Sequence, residues 1–134
     1  MHLLRRALQN CAARWQETVG DITPPQYAVL RSVQNSPGID QSRLGEATGI
    51  DPATLAALVH RMEQRGLLAR EVDPENRRRK LLTLTAEGGA TATRIRPLAD
   101  AVDEYVVRDL TEPQREALLE ALWRLGGGRD GREP

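Results

Sequence analysis

The 134-residue chain contains no phenylalanine, and aromatic residues make up 3% of it, so aliphatic side chains must build any core. It has one cysteine, Cys11, and two histidines, His2 and His60. A single cysteine excludes an intramolecular disulfide, and these ligands are too few for a classical zinc site. No apolar run approaches the roughly 18 residues that span a bilayer. The N-terminal arginines precede no long apolar segment, so no signal peptide is expected at the start. Excess charge of one sign is lacking too. Nineteen cationic and nineteen anionic residues give a formal net charge of zero, so any claim of nucleic-acid binding must rest on local clustering. Parts for catalysis are missing: there is no Gly-rich phosphate loop, no Ser–His–Asp set and no carboxylate pair in a recognisable motif. The expectation is one domain with a real core: cytoplasmic, not an enzyme, free of metal and cofactor, and without membrane association. Lys80 is the only lysine; all other side-chain cations are arginine apart from the histidines.

What is present is organised around residues 49–66, GIDPATLAALVHRMEQRG. Asp51 is a good N-cap, because its carboxylate accepts a free N–H of the first turn. Pro52 suits the first helical position, where its missing N–H costs nothing, and Gly66 suits a left-handed stop. Leu55, Leu58, Val59 and Met62 form one apolar face at helical spacing. The opposite face carries Ala53, Ala57, His60 and Gln64, flanked by Thr54 and Arg61. A helix whose outer face is small at one end and polar at the other can sink into a groove.

Along the chain, Leu4, Leu8, Cys11, Trp15 and Val19 form a stripe at steps of four and three over residues 3–19, ended by Gly20 and Asp21. A stripe that starts with no core sequence before it packs on something distant or on another subunit. Thr23-Pro24-Pro25-Gln26 is a capping box that opens a second helix through Tyr27, Leu30, Arg31 and Val33. Ile39 adds at most one extended residue. Asp40 or Ser42 starts a third helix, with Leu44 inward, and Gly49 ends it. Two short helices joined through a tight Gly turn make a helix-turn-helix. Residues 67–72 then alternate as a strand, Asp73-Pro74-Glu75-Asn76 is turn chemistry, and residues 81–84 are a second strand. The hairpin tip carries Arg77-Arg78-Arg79-Lys80. Thr85 caps a long helix with Ile95, Leu98, Val102, Tyr105 and Val106 on one side, and Pro97 should kink or restart it. Thr111-Glu112-Pro113-Gln114 is a second capping box, opening a last helix with Leu118, Leu119, Leu122 and Leu125 inward. Residues 126–134 read as a disordered tail.

The fold class is therefore mainly α (α+β): a winged helix-turn-helix over residues 23–85, with residues 1–22 and 86–125 forming a helical dimerisation layer. The apolar surface left on both chain ends suggests a two-fold homodimer.

These stretches resemble the MarR family of winged-helix transcription regulators. The resemblance is carried by Ile22-Thr23-Pro24-Pro25-Gln26-Tyr27-Ala28-Val29-Leu30, by the helix-turn-helix ending Arg61-Met62-Glu63-Gln64-Arg65-Gly66-Leu67, and by the wing ending Leu84-Thr85-Ala86-Glu87-Gly88. It covers roughly residues 3–125. It implies a dimer whose recognition helix enters the major groove of double-stranded DNA and whose wing reaches the minor groove. It further implies a pseudo-palindromic operator and, most often, repression relieved by a small aromatic acid. The family often carries Asp-x-Arg in the wing. Here Arg78 matches the arginine, but Asn76 replaces the aspartate that braces it. The amide can accept a guanidinium hydrogen bond but lacks charge-assisted strength, so the wing arginine is either looser here or held instead by Asp73 or Glu75.

Each candidate residue also has a plain structural alternative. Asn76, Arg77, Arg78, Arg79 and Lys80 suit a narrow, negative minor groove, or form a solvated hairpin tip. Pro52, Ala53 and Thr54 match positions that meet bases and phosphates, or only begin a helix. Ala57 lies on the same face. Arg61 suits a phosphate or guanine, and His60 is either a contact or a solvated histidine. Ser42 is either a phosphate contact or an N-cap. Trp15, Tyr27 and Arg31 would line an aromatic-acid pocket, or are core aromatics beside a surface arginine. Cys11 suggests a peroxide-sensing repressor, although it lies too close to Thr23-Pro24-Pro25-Gln26 to match the family's sensor position. A winged-helix protein-interaction module without DNA binding is the alternative from another class.

Overall fold

The computed structural model describes residues 1–126; of the expected tail, residues 127–134 lie outside that range. The elements are α1 (His2–Thr18), α2 (Pro24–Asn35), β1 (Ile39–Asp40), α3 (Gln41–Thr48), α4 (Pro52–Gln64), β2 (Leu68–Val72), β3 (Lys80–Leu84), α5 (Ala86–Val107) and α6 (Glu112–Leu125). The chain is mainly helical with one small antiparallel sheet, which is the expected winged helix-turn-helix.

Local chemistry sets most boundaries. Thr23 Oγ1 accepts the Gln26 N–H at 3.4 Å, and Gln26 Oε1 accepts the Thr23 N–H at 2.9 Å, which starts α2. Gln114 Oε1 likewise accepts the Thr111 N–H at 2.9 Å before α6. Gly49 (φ 67°) and Gly66 (φ 71°) end α3 and α4 in the left-handed conformation that glycine adopts without steric cost. The sheet order is β1-β3-β2. In the hairpin Arg70 stands opposite Leu82, and β1 pairs Ile39 with Leu82 and Asp40 with Leu81. Two paired residues are too few for a detectable alternation, so β1 shows in the sequence as a single extended residue at most.

Two compact units arise, one spanning Met1–Val102 and one starting at Asp103. The core lies in the first. Ile22, Val29, Leu30, Val33, Leu44, Leu55, Val59, Met62, Leu82 and Ile95 are buried there, with Trp15 and Tyr27 packed against them. The α1 stripe is graded: Val19 is buried, Cys11 and Trp15 are half-buried, and Leu4 and Leu8 are exposed. Burial also fades along β2, from Leu68 to exposed Val72, as the hairpin leaves the core.

α5 runs without a break from Ala86 to Val107 with Pro97 inside it, so of the two expectations for Pro97 the restart does not occur. Pro97 and Thr93, whose carbonyl loses its helical donor, are both solvent-exposed, so water can satisfy that carbonyl. The expected inward turn of the α6 leucines needs correction: α6 has no buried residue, Leu118 is half-buried, and Leu119, Leu122 and Leu125 are 67%, 47% and 77% exposed. Periodicity identifies an apolar face but not what covers it. Among the described residues no helix is long and apolar enough to cross a membrane.

Candidate nucleic-acid interface

The helix-turn-helix buries one face of α4 and offers the other. Leu55, Leu58, Val59 and Met62 are buried, whereas Pro52, Ala53, Thr54, Ala57, His60 and Arg61 are all exposed. The start of the helix is fixed by Asp51, whose Oδ1 accepts the Thr54 N–H at 3.0 Å. Hydrogen bonding from the Thr54 hydroxyl, and then from its backbone N–H, holds the Asp51 carboxyl below its ordinary value of 3.8. The far end is pinned by Arg70, which donates to Glu63 Oε2 at 2.6 Å and ties α4 to β2. The outward face of α4 is thus presented on a helix capped at its start and tied to β2 near its end.

In α3, Asp40 is the N-cap: its Oδ1 accepts the Arg43 N–H at 3.0 Å. Ser42 therefore does not cap the helix, and its side chain is exposed one residue inside it. An open groove of about 570 Å³ runs between α3 and α4, with Ser42, Glu46, Ile50 and Leu55 in its lining.

The wing turn is built from backbone and short polar side chains. Asp73 and Arg79 close it, the Asp73 N–H donating to the Arg79 carbonyl at 3.0 Å. Asp73 Oδ1 accepts the Glu75 N–H at 2.9 Å, and Asn76 Oδ1 accepts the Arg78 N–H at 3.1 Å. Asn76 therefore shapes the turn through the backbone and does not brace the Arg78 guanidinium. Asp73 does not brace it either. Its Oδ2 lies 3.3 Å from Arg79 Nε, and Asp40 Oδ2 lies 3.9 Å from the same nitrogen. Arg77, Arg78 and Lys80 are exposed and make no ion pair among the described residues. The sequence had shown four equivalent cations; the structure separates Arg79 from the other three. It also gives Asp40 and Asp73 a shared partner in Arg79 that spacing does not show, because the Asp40–Arg79 approach depends on the pairing of β1 with β3.

Of the candidate ligand residues, the structure brings Trp15 and Tyr27 together, while Arg31 contacts Gln34. The Trp15 and Tyr27 rings have centroids 5.6 Å apart and are inclined at 45°. The Trp15 indole N–H is already used, donating to the Ile22 carbonyl at 2.6 Å. Arg31, one helical turn beyond Tyr27, is half-exposed and donates to Gln34 Oε1 at 3.3 Å. Cys11 is a half-buried free thiol on α1.

With this geometry in place, comparison with known proteins is decisive. The model of the MarR family matches residues 22–80. Transcriptional regulator HosA of Escherichia coli O111:H- is 41% identical over 124 residues, which cover 92% of each chain. The chain belongs to the MarR family. This MarR-family chain is a transcription regulator and not an enzyme. Its fold is shared by PcaV of Streptomyces coelicolor in complex with its natural ligand, at 34% identity and a TM-score of 0.90, over 94% of this chain and 90% of that one. It is shared also by BpsR of Bordetella bronchiseptica, a protein whose DNA binding is regulated by 6-hydroxynicotinic acid. That likeness has 33% identity and a TM-score of 0.83, over 92% of this chain and 96% of that one.

Proposed function

We propose that this MarR-family regulator acts as a homodimeric repressor that binds a pseudo-palindromic operator in double-stranded DNA and is released by a small ligand of the aromatic-acid class. The observation that carries the DNA-binding part is the combination of an anchored α4 with an exposed, small and polar outer face, and a wing whose Arg77, Arg78 and Lys80 have no carboxylate partner among the described residues. In this reading residues 23–85 are the DNA-binding part. Pro52, Ala53 and Thr54 enter the major groove first, with Ala57 and His60 along the same face. The small side chains let the helix backbone approach base edges, and Arg61 and Ser42 take phosphates. Asn76 shapes the wing whose Arg77 and Arg78 follow the minor groove, where negative potential favours guanidinium.

Residues 1–22 and 86–125 are assigned to the dimer. Leu3, Leu4 and Leu8 leave an apolar face on α1, and Leu119, Leu122, Trp123 and Leu125 leave another on α6, each of which a partner copy would cover. Half-sites about one turn apart, ~34–36 Å, would then present two recognition helices to one face of DNA.

The ligand assignment rests on Trp15, Tyr27 and Arg31. Two inclined aromatic rings and a guanidinium suit a flat carboxylate, and BpsR responds to an acid of this kind. A ligand that prefers a lobe arrangement unsuited to DNA weakens operator binding by its differential affinity for the two states. The experiment is a mobility shift on the DNA upstream of the chain's own coding region, with and without a panel of small aromatic acids. The same panel is scored for thermal stabilisation. A specific complex that an acid dissolves supports the reading. A specific complex that no acid affects removes the ligand part, and absence of any specific complex removes the whole.

A further inference from the structure

We infer that Arg79 is a positioning residue that fastens the wing to the first helix of the helix-turn-helix, and that it does not contact DNA. This rests on the DNA-binding function proposed above and divides its basic wing into two parts. The evidence is how two nearly buried carboxylates are used. The side chains of Asp73 and Asp40 are only 9% and 12% exposed. Each spends one oxygen on a backbone donor: Asp73 Oδ1 takes the Glu75 N–H and Asp40 Oδ1 takes the Arg43 N–H. Each then directs Oδ2 to the same nitrogen, Arg79 Nε, at 3.3 and 3.9 Å. Buried carboxylates are costly unless partnered, and Arg79 is the cation that partners both. Arg43 Nε, at 3.8 Å from Asp40 Oδ2, adds a second positive charge at the outer edge.

The clasp reinforces a junction that the backbone makes through the two-residue β1 and the Gly38 N–H, which donates to the Leu82 carbonyl at 2.8 Å. Arg79 ends the wing turn, immediately before β3. Asp40 lies in β1 opposite Leu81 and simultaneously caps α3. One guanidinium thus connects the wing to the cap of the helix that precedes α4. This supplies the charge-based brace that Asn76 cannot. It acts on a different arginine from the family's pattern and leaves Arg78 to DNA. A guanidinium already neutralised by two carboxylates releases no counterions when DNA binds, so Arg79 should be silent in the salt dependence of binding.

The test compares Arg79→Gln, Arg78→Gln and Asp40→Asn in the full chain. Asparagine caps a helix about as well as aspartate, so Asp40→Asn removes the ion pair and keeps α3. The first readout, amide hydrogen exchange, needs no DNA. Arg79→Gln and Asp40→Asn should speed exchange of the wing-turn amides of Asp73, Asn76 and Arg79 by roughly two- to fivefold, the range for a partly exposed ion pair, and Arg78→Gln should leave them unchanged. The second readout is the slope of log K against log salt. Arg79→Gln should weaken DNA binding with the slope unchanged, whereas Arg78→Gln should reduce the slope by about 0.9 per wing. The double variant Asp40→Asn/Arg79→Gln should bind as Arg79→Gln does, because one interaction is removed twice. Unchanged exchange in Arg79→Gln overturns the clasp. A slope change in Arg79→Gln equal to that in Arg78→Gln overturns its separation from DNA. If the unsubstituted protein forms no specific complex, the DNA-binding function fails, and exchange alone still decides whether Arg79 positions the wing.

Discussion

A Cβ added to Gly88 would stand 1.9 Å from the carbonyl oxygen of Leu67. The first turn of α5 therefore lies directly against the start of the wing, with backbone on both sides. Thr85 completes the junction: its hydroxyl donates to the Gly66 carbonyl at 2.5 Å and accepts the Gly88 N–H at 3.0 Å. Gly88→Ala forces one backbone away from the other, at the top of the range for overpacking or beyond. It should cost about 3 kcal/mol or more. Urea unfolding measures this, and a loss within experimental error would show that the junction is looser than described.

Asp51 gives a pH dependence with a definite sign. Hydrogen bonds from Thr54 hold its folded pKa below the ordinary 3.8. A depressed carboxylate adds stability above its unfolded pKa and loses that contribution as pH falls through the folded value. Asp51→Asn keeps a capping side chain but removes the titration. The stability gap between the original chain and Asp51→Asn should therefore be constant above about pH 5 and shrink below the ordinary aspartate value. Urea midpoints measured across that range check this; a gap independent of pH would remove the Asp51–Thr54 contribution.

The contrast between these two sites and the rest shows what was legible in the sequence. Asp51, Thr23 with Gln26 and Thr111 with Gln114 act within four residues of themselves, so spacing alone reveals them. The buried face of α4 was legible for the same reason. Asp40 was ambiguous with Ser42, and its second role was invisible, because Arg79 reaches it only when β3 lies beside β1. The leucines of α6 repeat at helical spacing whether a core or another molecule covers them, so their exposure could not be read. Among the wing cations, four in a row conceal that one is committed to carboxylates.

The dimer assignment makes a direct prediction at α6. Leu122 is 47% exposed, and Trp123 beside it is 48% exposed. Leu122→Glu would place a charge in an apolar interface and should turn a dimer into a monomer in analytical ultracentrifugation, with little change in helix content. A monomeric unsubstituted chain, or a Leu122→Glu variant that remains dimeric, would count against α6 as the contact.

Specificity is assigned to the start of α4. Thr54→Val preserves shape and removes the hydroxyl, so it should change preference at one base step by about 1–3 kcal/mol while leaving salt dependence intact. Competition binding against single-base operator variants reads this out. A uniform loss across all variants would place Thr54 outside the base-reading set.

In the proposed function α4 reads DNA while Arg77, Arg78 and Lys80 hold it, and a salt series on the DNA upstream of the coding region puts this to the test. The expected result is a specific complex whose log K falls linearly with log salt, with the slope reduced by about 0.9 per wing in Arg78→Ala. A chain that forms no specific, salt-sensitive complex there, or an Arg78→Ala variant with an unchanged slope, would contradict it.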